Sequence, residues 1–238
     1  MISCIIIDDS RLAREELRRL LEGKPDLTII NEAENISRAQ EQIEKEQPDL
    51  IFLDIQMPGG SGFDLLEKLD YLPQVIFTTA YDEYAMKAFE VNALDYLQKP
   101  ITDERLDAAL QIASERIQTS STEERDKLTL EDQVFVRDGD RCWFVQLSDI
   151  SLLEIEGNNT RIKFDDQNPL ITRSLNYMED RLDPRTFFRA NRQQIVNLKW
   201  IKKIDPWFSG SIRITLKDDS IVDVSRRQTA RFKEIMSF

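Results

Sequence analysis

Five polar residues near the start of the chain each stand at the end of a short apolar run. Asp8 and Asp9 follow Ile5-Ile6-Ile7, and Asp54 follows Leu50-Ile51-Phe52-Leu53. Thr79 closes the run that begins Val75-Ile76-Phe77, and Lys99 follows residues 94–97. Three carboxylates in one crevice repel each other unless a hard cation sits among them, and Mg2+ suits such oxygen ligands. A carboxylate beside that cation can attack a phosphoryl group and become an aspartyl phosphate. Lys99 can neutralise the added charge, and Thr79 can hydrogen-bond a phosphoryl oxygen. The chain contains no histidine. That excludes Ser-His-Asp and Cys-His catalysis, histidine metal sites and histidine pH switches. Two cysteines, Cys4 and Cys142, cannot by themselves make a disulfide framework or a zinc site.

Whether these residues meet depends on the elements between them. The 238 residues allow one large domain or two small ones. In the front half, short apolar strands alternate with amphipathic helices. Ser10 can cap a helix with Ala13, Leu17, Leu20 and Leu21 on one face, and Asn35 can cap a second with Ile36, Ala39 and Ile43. A strand is expected over 27–30. Pro58, Gly59, Gly60 and Gly62 mark a loop before a short helix through Leu69. Further helices are expected over 82–89 and through Leu106, Leu110, Ala113 and Ile117. Continuous apolar strands between helices imply an α/β domain, a doubly wound parallel five-stranded sheet covered on both faces. In such a sheet the ligand crevice lies at the carboxyl ends of the strands, so the five polar residues converge.

The stretches Ile-Ile-Ile-Asp-Asp-Ser, Leu-Ile-Phe-Leu-Asp-Ile-Gln-Met-Pro-Gly, Phe-Thr-Thr-Ala and Asp-Tyr-Leu-Gln-Lys-Pro resemble a response-regulator receiver domain over about residues 1–118. The resemblance implies a flavodoxin-like strand order, 2-1-3-4-5. It implies that Asp54 is the phosphoacceptor and that Asp9 is the direct acidic Mg2+ ligand. Asp8 is then a second residue of the acidic pocket, and the Gln56 backbone carbonyl completes the metal contacts. Thr79 becomes the switch hydroxyl, with Thr78 a neighbour of no such role, Lys99 the phosphoryl partner and Tyr96 the switch aromatic. The Gly59-Gly60 pair makes the following loop one residue longer than is usual in the family.

The back half has a different period and a different charge. Residues 119–128 read as a polar linker. Beyond them come short strands, expected at 134–137, 142–147, 150–156, 160–164, 168–172, 194–197, 200–204, 211–216 and 220–224. One helix is expected after Ser174 and another after Ser225. Residues 1–118 hold 12 Lys/Arg against 24 Asp/Glu, whereas residues 185–238 hold 12 against 5. A basic terminal block is an electrostatic footprint for phosphate. Within it Arg189, Asn191, Arg192, Gln193 and Gln194 cluster, the side-chain types that read guanine and adenine edges. Arg226 and Arg227 open the last helix, where phosphate is also favoured. No helix-turn-helix or zinc spacing is present. Phe-Phe-Arg followed by Ile-Val-Asn, then Val-Ser-Arg-Arg, resembles the LytTR (LytR/AlgR-type) DNA-binding domain over about residues 129–238. That resemblance implies a β-rich C-terminal domain contacting DNA through Asn159 and Thr160, through Asn191 and Arg192 with Arg189 and Gln193 beside them, and through Arg226 and Arg227. Thr160 and Asn191 stand where many members carry histidine.

The combined expectation is a two-component response regulator. A sensor histidine kinase phosphorylates Asp54, Mg2+ is the cofactor, and the C-terminal domain binds double-stranded promoter DNA. The resemblance also implies a homodimer when the protein is phosphorylated or DNA-bound, formed through the fourth helix, fifth strand and fifth helix. Catalysis is expected to go no further than self-catalysed phosphorylation and dephosphorylation. A receiver-linked protein- or RNA-binding module is the alternative, and an aspartyl-phosphate hydrolase would need a second acid/base group that is not evident. No run of 18 apolar residues exists to cross a membrane, and the N-terminus lacks the basic region of a signal peptide. A cytoplasmic protein without membrane insertion is expected.

Overall fold

The computed structural model describes residues 1–80, 95–119 and 127–236. The chain divides into two compact units, one formed mainly by Met1–Ser121 and the other mainly by Thr122–Asp140 and Val145–Phe238. The expected helix at 82–89 lies outside the described residues.

The first unit contains β1 (Ile2–Ile7), α1 (Arg11–Leu21), β2 (Leu27–Ala33), α2 (Ile36–Glu46), β3 (Leu50–Asp54), β4 (Gln56–Met57), β5 (Gly60–Ser61), α3 (Gly62–Leu66), β6 (Gln74–Thr79), β7 (Asp95–Gln98) and α4 (Asp103–Thr119). The sheet is parallel, in the order β2-β1-β3-β6-β7. This is the doubly wound arrangement the sequence predicts. Successive side chains of a strand point to opposite faces, and both faces of β1 and β3 are buried. Cys4, Ile6, Leu50 and Phe52 pack with Leu17 and Leu21 of α1 and with Leu106, Ala109 and Ala113 of α4. Burial in that cluster pushes the Cys4 thiol up to about 12, so it stays protonated and unreactive. Strand β2 is one of the two sheet edges and only half buried. The caps form as expected: Ala13 N donates to Ser10 Oγ at 3.4 Å, and Arg38 N donates to Asn35 Oδ1 at 2.9 Å.

The glycine-rich loop folds into the small β4–β5 hairpin, which periodicity does not signal. Gly59 turns it with φ +88°, a conformation glycine adopts without steric cost. Gly62 lies against the end of β3: a Cβ there would stand 2.6 Å from the Asp54 carbonyl oxygen and 3.0 Å from Leu53 Cγ. Helix α3 then starts on a capping box between Ser61 and Asp64. Gly62→Ala is therefore expected to destabilise the protein by about 1–3 kcal/mol through overpacking, read as a lower urea midpoint. An unchanged midpoint would show that β3 yields at no cost.

Beyond the linker come β8 (Gln133–Asp138), β9 (Arg141–Gln146), β10 (Ile150–Glu156), β11 (Asn159–Phe164), β12 (Leu170–Ile171), α5 (Leu175–Arg181), β13 (Phe187–Arg189), β14 (Gln194–Asn197), β15 (Ile201–Pro206), β16 (Ile212–Leu216), β17 (Ile221–Val224) and α6 (Arg226–Met236). All belong to the second unit except Arg141–Phe144 of β9, which group with the first. An antiparallel sheet runs β12-β11-β10-β14-β13, and a three-stranded meander runs β15-β16-β17. Leu152, Phe188, Val196, Ile214, Val222 and Phe232 share one core. The Phe188 and Phe232 rings pack at 5.3 Å and dock α6. Strand β13 has three residues, too short for a period, and is expected from sequence only as a pair of core phenylalanines. Leu128, the last residue of the expected linker, exchanges backbone hydrogen bonds with Arg181 and Asp183. It belongs to the second unit, while α4 continues one residue past the expected boundary at 118.

Candidate functional site

At the carboxyl ends of β1, β3 and β7 the structure assembles an acidic pocket. One carboxylate oxygen from each of Asp8, Asp9 and Asp54 lies within 4.8 Å of the others. Asp8 and Asp54 are buried and Asp9 is exposed. Lys99 Nζ donates to Asp8 Oδ2 at 2.6 Å and to Asp54 Oδ2 at 2.9 Å. Asp8 also accepts from Ser10 N at 2.9 Å, and Asp54 Oδ1 accepts from Gln56 N at 3.2 Å. Lys99 is held by its own backbone, whose N–H donates to the Thr79 carbonyl at 2.8 Å.

Burial is the main reason that the Asp54 carboxyl sits above its ordinary pKa, and the nearby Asp8 charge adds to it against Lys99. For Lys99, burial favours the neutral amine. The hydrogen bonds and charges of Asp8 and Asp54 outweigh it, so its pKa is raised. Lys99 is thus a fixed cation between two acids. The donor set is all oxygen, carboxylates above all, which fits a hard cation and not a soft one. Thr79 is buried at the end of β6, beside Gln98 in register, while Thr78 pairs with Asp54. Tyr96 is half-buried on β7, its carbonyl accepting from Arg105 Nη2 at 2.7 Å.

A second polar site lies in the β-rich unit. Register places the β10–β11 hairpin, the β13–β14 loop and the start of α6 at one end: Glu156 pairs with Asn159, Ile155 N donates to the Gln193 carbonyl, and Ser225 N donates to the Ala190 carbonyl. Arg192, Gln193, Arg226 and Arg227 are exposed there, and the three arginines make no ion pair among the described residues.

Two family models match the chain: the response regulator receiver domain over residues 4–111 and the LytTr DNA-binding domain over residues 140–237. The chain is 38% identical to the Enterococcus faecalis sensory transduction protein LytT, with 97% of each covered. It is 36% identical to the Bacillus subtilis protein of the same name, with 99% of each covered. The chain belongs to the LytTR family of response regulators. It is a two-component response regulator that controls transcription. The response regulatory domain of protein mrkE from Klebsiella pneumoniae is 29% identical, covers 50% of this chain and 99% of its own, and superposes with a TM-score of 0.46.

In this LytTR regulator Asp8, Asp9, Asp54 and Lys99 come together. Those expected at the DNA loops divide into two sets. Arg192, Gln193, Arg226 and Arg227 face solvent, and Asn159 is half-buried. Thr160 is fully buried and its hydroxyl donates to the Arg173 carbonyl at 2.8 Å. Arg189 donates to the backbone carbonyls of Asn191 and Arg192 at 2.8 and 2.7 Å and pairs with Glu179 at 3.0 Å. Asn191 Nδ2 donates to Gln194 Oε1 and to the Asp223 carbonyl. These three side chains shape the loops from within.

Sequence reasoning missed Arg14. Its guanidinium donates to the Asp8 carbonyl at 2.7 Å and is anchored by Glu32 at 3.3 Å, so it braces the turn that presents Asp8 and Asp9. Arg14 lies one turn into α1, and Glu32 on β2. Nothing in local pattern announces that pair.

Proposed function

We propose that Asp54 accepts a phosphoryl group from a sensor histidine kinase and that this controls sequence-specific binding of the second unit to promoter DNA. The observation that carries the reading is the Asp54 carboxylate, buried at the end of β3, with Lys99 Nζ at 2.9 Å and the oxygens of Asp8 and Asp9 close by. Asp54 attacks phosphorus and the bond to the donor breaks. Lys99 stays against the oxygens that gain charge, and Thr79 donates its hydroxyl to one of them. Asp8, Asp9, Asp54 and the Gln56 carbonyl would hold Mg2+, which when bound neutralises phosphoryl charge. Arg14 keeps Asp8 and Asp9 in place from behind.

Thr79 and Tyr96 carry the change to the face containing β7 and α4, where two phosphorylated copies meet as a homodimer. Exposed Arg192, Gln193, Arg226 and Arg227, with Asn159, meet the duplex. Thr160, Arg189 and Asn191 hold those loops in shape. The protein works as a cytoplasmic regulator, and its chemistry is limited to gaining and losing its own phosphoryl group. No helix among the described residues is long and apolar enough to cross a membrane. A gel-shift titration of phosphorylated and unphosphorylated protein, with duplex DNA against single-stranded RNA and light scattering on the same samples, tests the reading. Tighter duplex binding by a phosphorylated dimer is expected. Preference for RNA would transfer the basic loops to the alternative module.

A further inference from the structure

A fourth chain reversal shares the end of the β-rich unit that carries Arg192 and Arg226. Pro206 pairs with Ile212 to close the β15–β16 turn, and Ile212 pairs with Val224, the last residue before Ser225 and α6. The turn therefore stands beside the helix start. It is also wired to the Asn191–Gln193 loop. Asn191 Nδ2 donates to the Asp223 carbonyl at 2.9 Å, and the Asp223 carboxylate receives Arg213 Nε and Nη2 at 2.7 and 2.9 Å. The Arg213 guanidinium carbon lies 3.5 Å from the centroid of the Trp207 ring. Trp207 meets Phe208 edge-on at 5.3 Å.

At the tip Phe208 is 78% exposed. The turn that presents it is closed by Trp207 N donating to the Ser211 carbonyl at 2.9 Å and by Ser211 Oγ donating to the Phe208 carbonyl at 2.8 Å. A single exposed ring means little by itself. Here it is held out on a braced turn against Trp207, itself 38% exposed, beside a loop and a helix start that carry exposed arginines. Its surroundings say what covers it. Residues 185–238 hold 12 Lys/Arg against 5 Asp/Glu, a complement to phosphate, and the contacts from Trp207 through Arg213 and Asp223 to Asn191 tie the turn to the loop that carries Arg192.

We propose that Phe208 is a DNA contact, its ring entering the groove beside the one reached from α6 and meeting apolar base surface, a thymine methyl or an opened base step. Proteins use phenylalanine in this way to wedge base steps or cover thymine methyls. Trp207, clamped by Arg213, positions the ring. The inference rests on the DNA-binding reading of the same loops.

The test uses the full chain and a duplex selected with the wild-type protein, titrated by fluorescence anisotropy across a salt series. Phe208→Ala is expected to weaken binding roughly tenfold while leaving the salt slope unchanged, because a phenyl ring displaces no counterion. Phe208→Trp should restore most of the affinity. Arg226→Ala should instead reduce the slope by about one unit. Being exposed, Phe208 can be truncated without loss of fold, which the melting temperature checks. Unchanged affinity in Phe208→Ala overturns the contact alone. Loss of self-association by light scattering, with half-site affinity intact, overturns it in favour of contact between two copies. A wild-type chain that binds no duplex overturns this inference together with the DNA-binding reading.

Discussion

Asp54→Asn incubated with acetyl phosphate and Mg2+ gains no phosphoryl mass in intact-mass spectrometry, while the wild-type chain does. The amide removes the nucleophilic oxygen and leaves the shape almost unaltered, so the loss is one of chemistry. Lys99 keeps Asp8 as a partner at 2.6 Å, and the pocket therefore survives the change. Asp9→Ala, which deletes the exposed carboxylate, is expected to weaken Mg2+ in a metal titration more than Asp8→Ala. Asp8 is already paired with Lys99 at 2.6 Å, so much of its charge is neutralised before a cation arrives, whereas the Asp9 carboxylate makes no ion pair among the described residues. Equal phosphorylation of Asp54→Asn and wild-type protein would move the acceptor elsewhere.

Binding-site selection with Arg192→Ala and Arg227→Ala should return relaxed preference at one base pair each, with a cost of about 1–3 kcal/mol on the wild-type site. Both side chains are exposed and unpaired by acids among the described residues, so their donors are available to guanine edges. The loop under Arg192 is held by Arg189 from below, which limits the ordering that binding must supply. Lys202 and Lys203 make a useful contrast. Each has an acid partner, Asp219 at 2.7 Å and Asp205 at 2.8 Å, and such exposed pairs contribute little. If they touch DNA at all they serve phosphate and change every sequence alike. An unchanged recognition sequence in the two arginine variants, with affinity lost equally on random DNA, would assign both to the backbone.

Much of the first unit is legible because its signals are local. An apolar run ending in Asp announces both a buried parallel strand and the polar residue that it delivers to the crevice. Ser10, Asn35 and Ser174 announce helix starts, and all three accept the expected cap hydrogen bond. The short elements are less legible. The β4–β5 hairpin and β13 have too few residues to show a period. Thr160 is an intermediate case. It lies two residues before Ile162 and four before Phe164 on β11, and all three point inward. Strand alternation, with its period of two, is enough to put that hydroxyl in the core.

What the sequence alone determined is the membership of the acidic pocket. Strands of a parallel sheet all end at one edge, so a residue's place at a strand end dictates where it goes, whatever its distance along the chain. Only the tertiary structure decided which polar side chains remain available. Arg189 and Arg192 are three residues apart and look alike in sequence. Arg189 finds Glu179 on α5 and two backbone carbonyls, while Arg192 projects outward. A buried guanidinium needs its donors satisfied. The partners that satisfy them come from segments whose approach no local pattern specifies, and the same reason hid the bracing of Asp8 by Arg14 and Glu32.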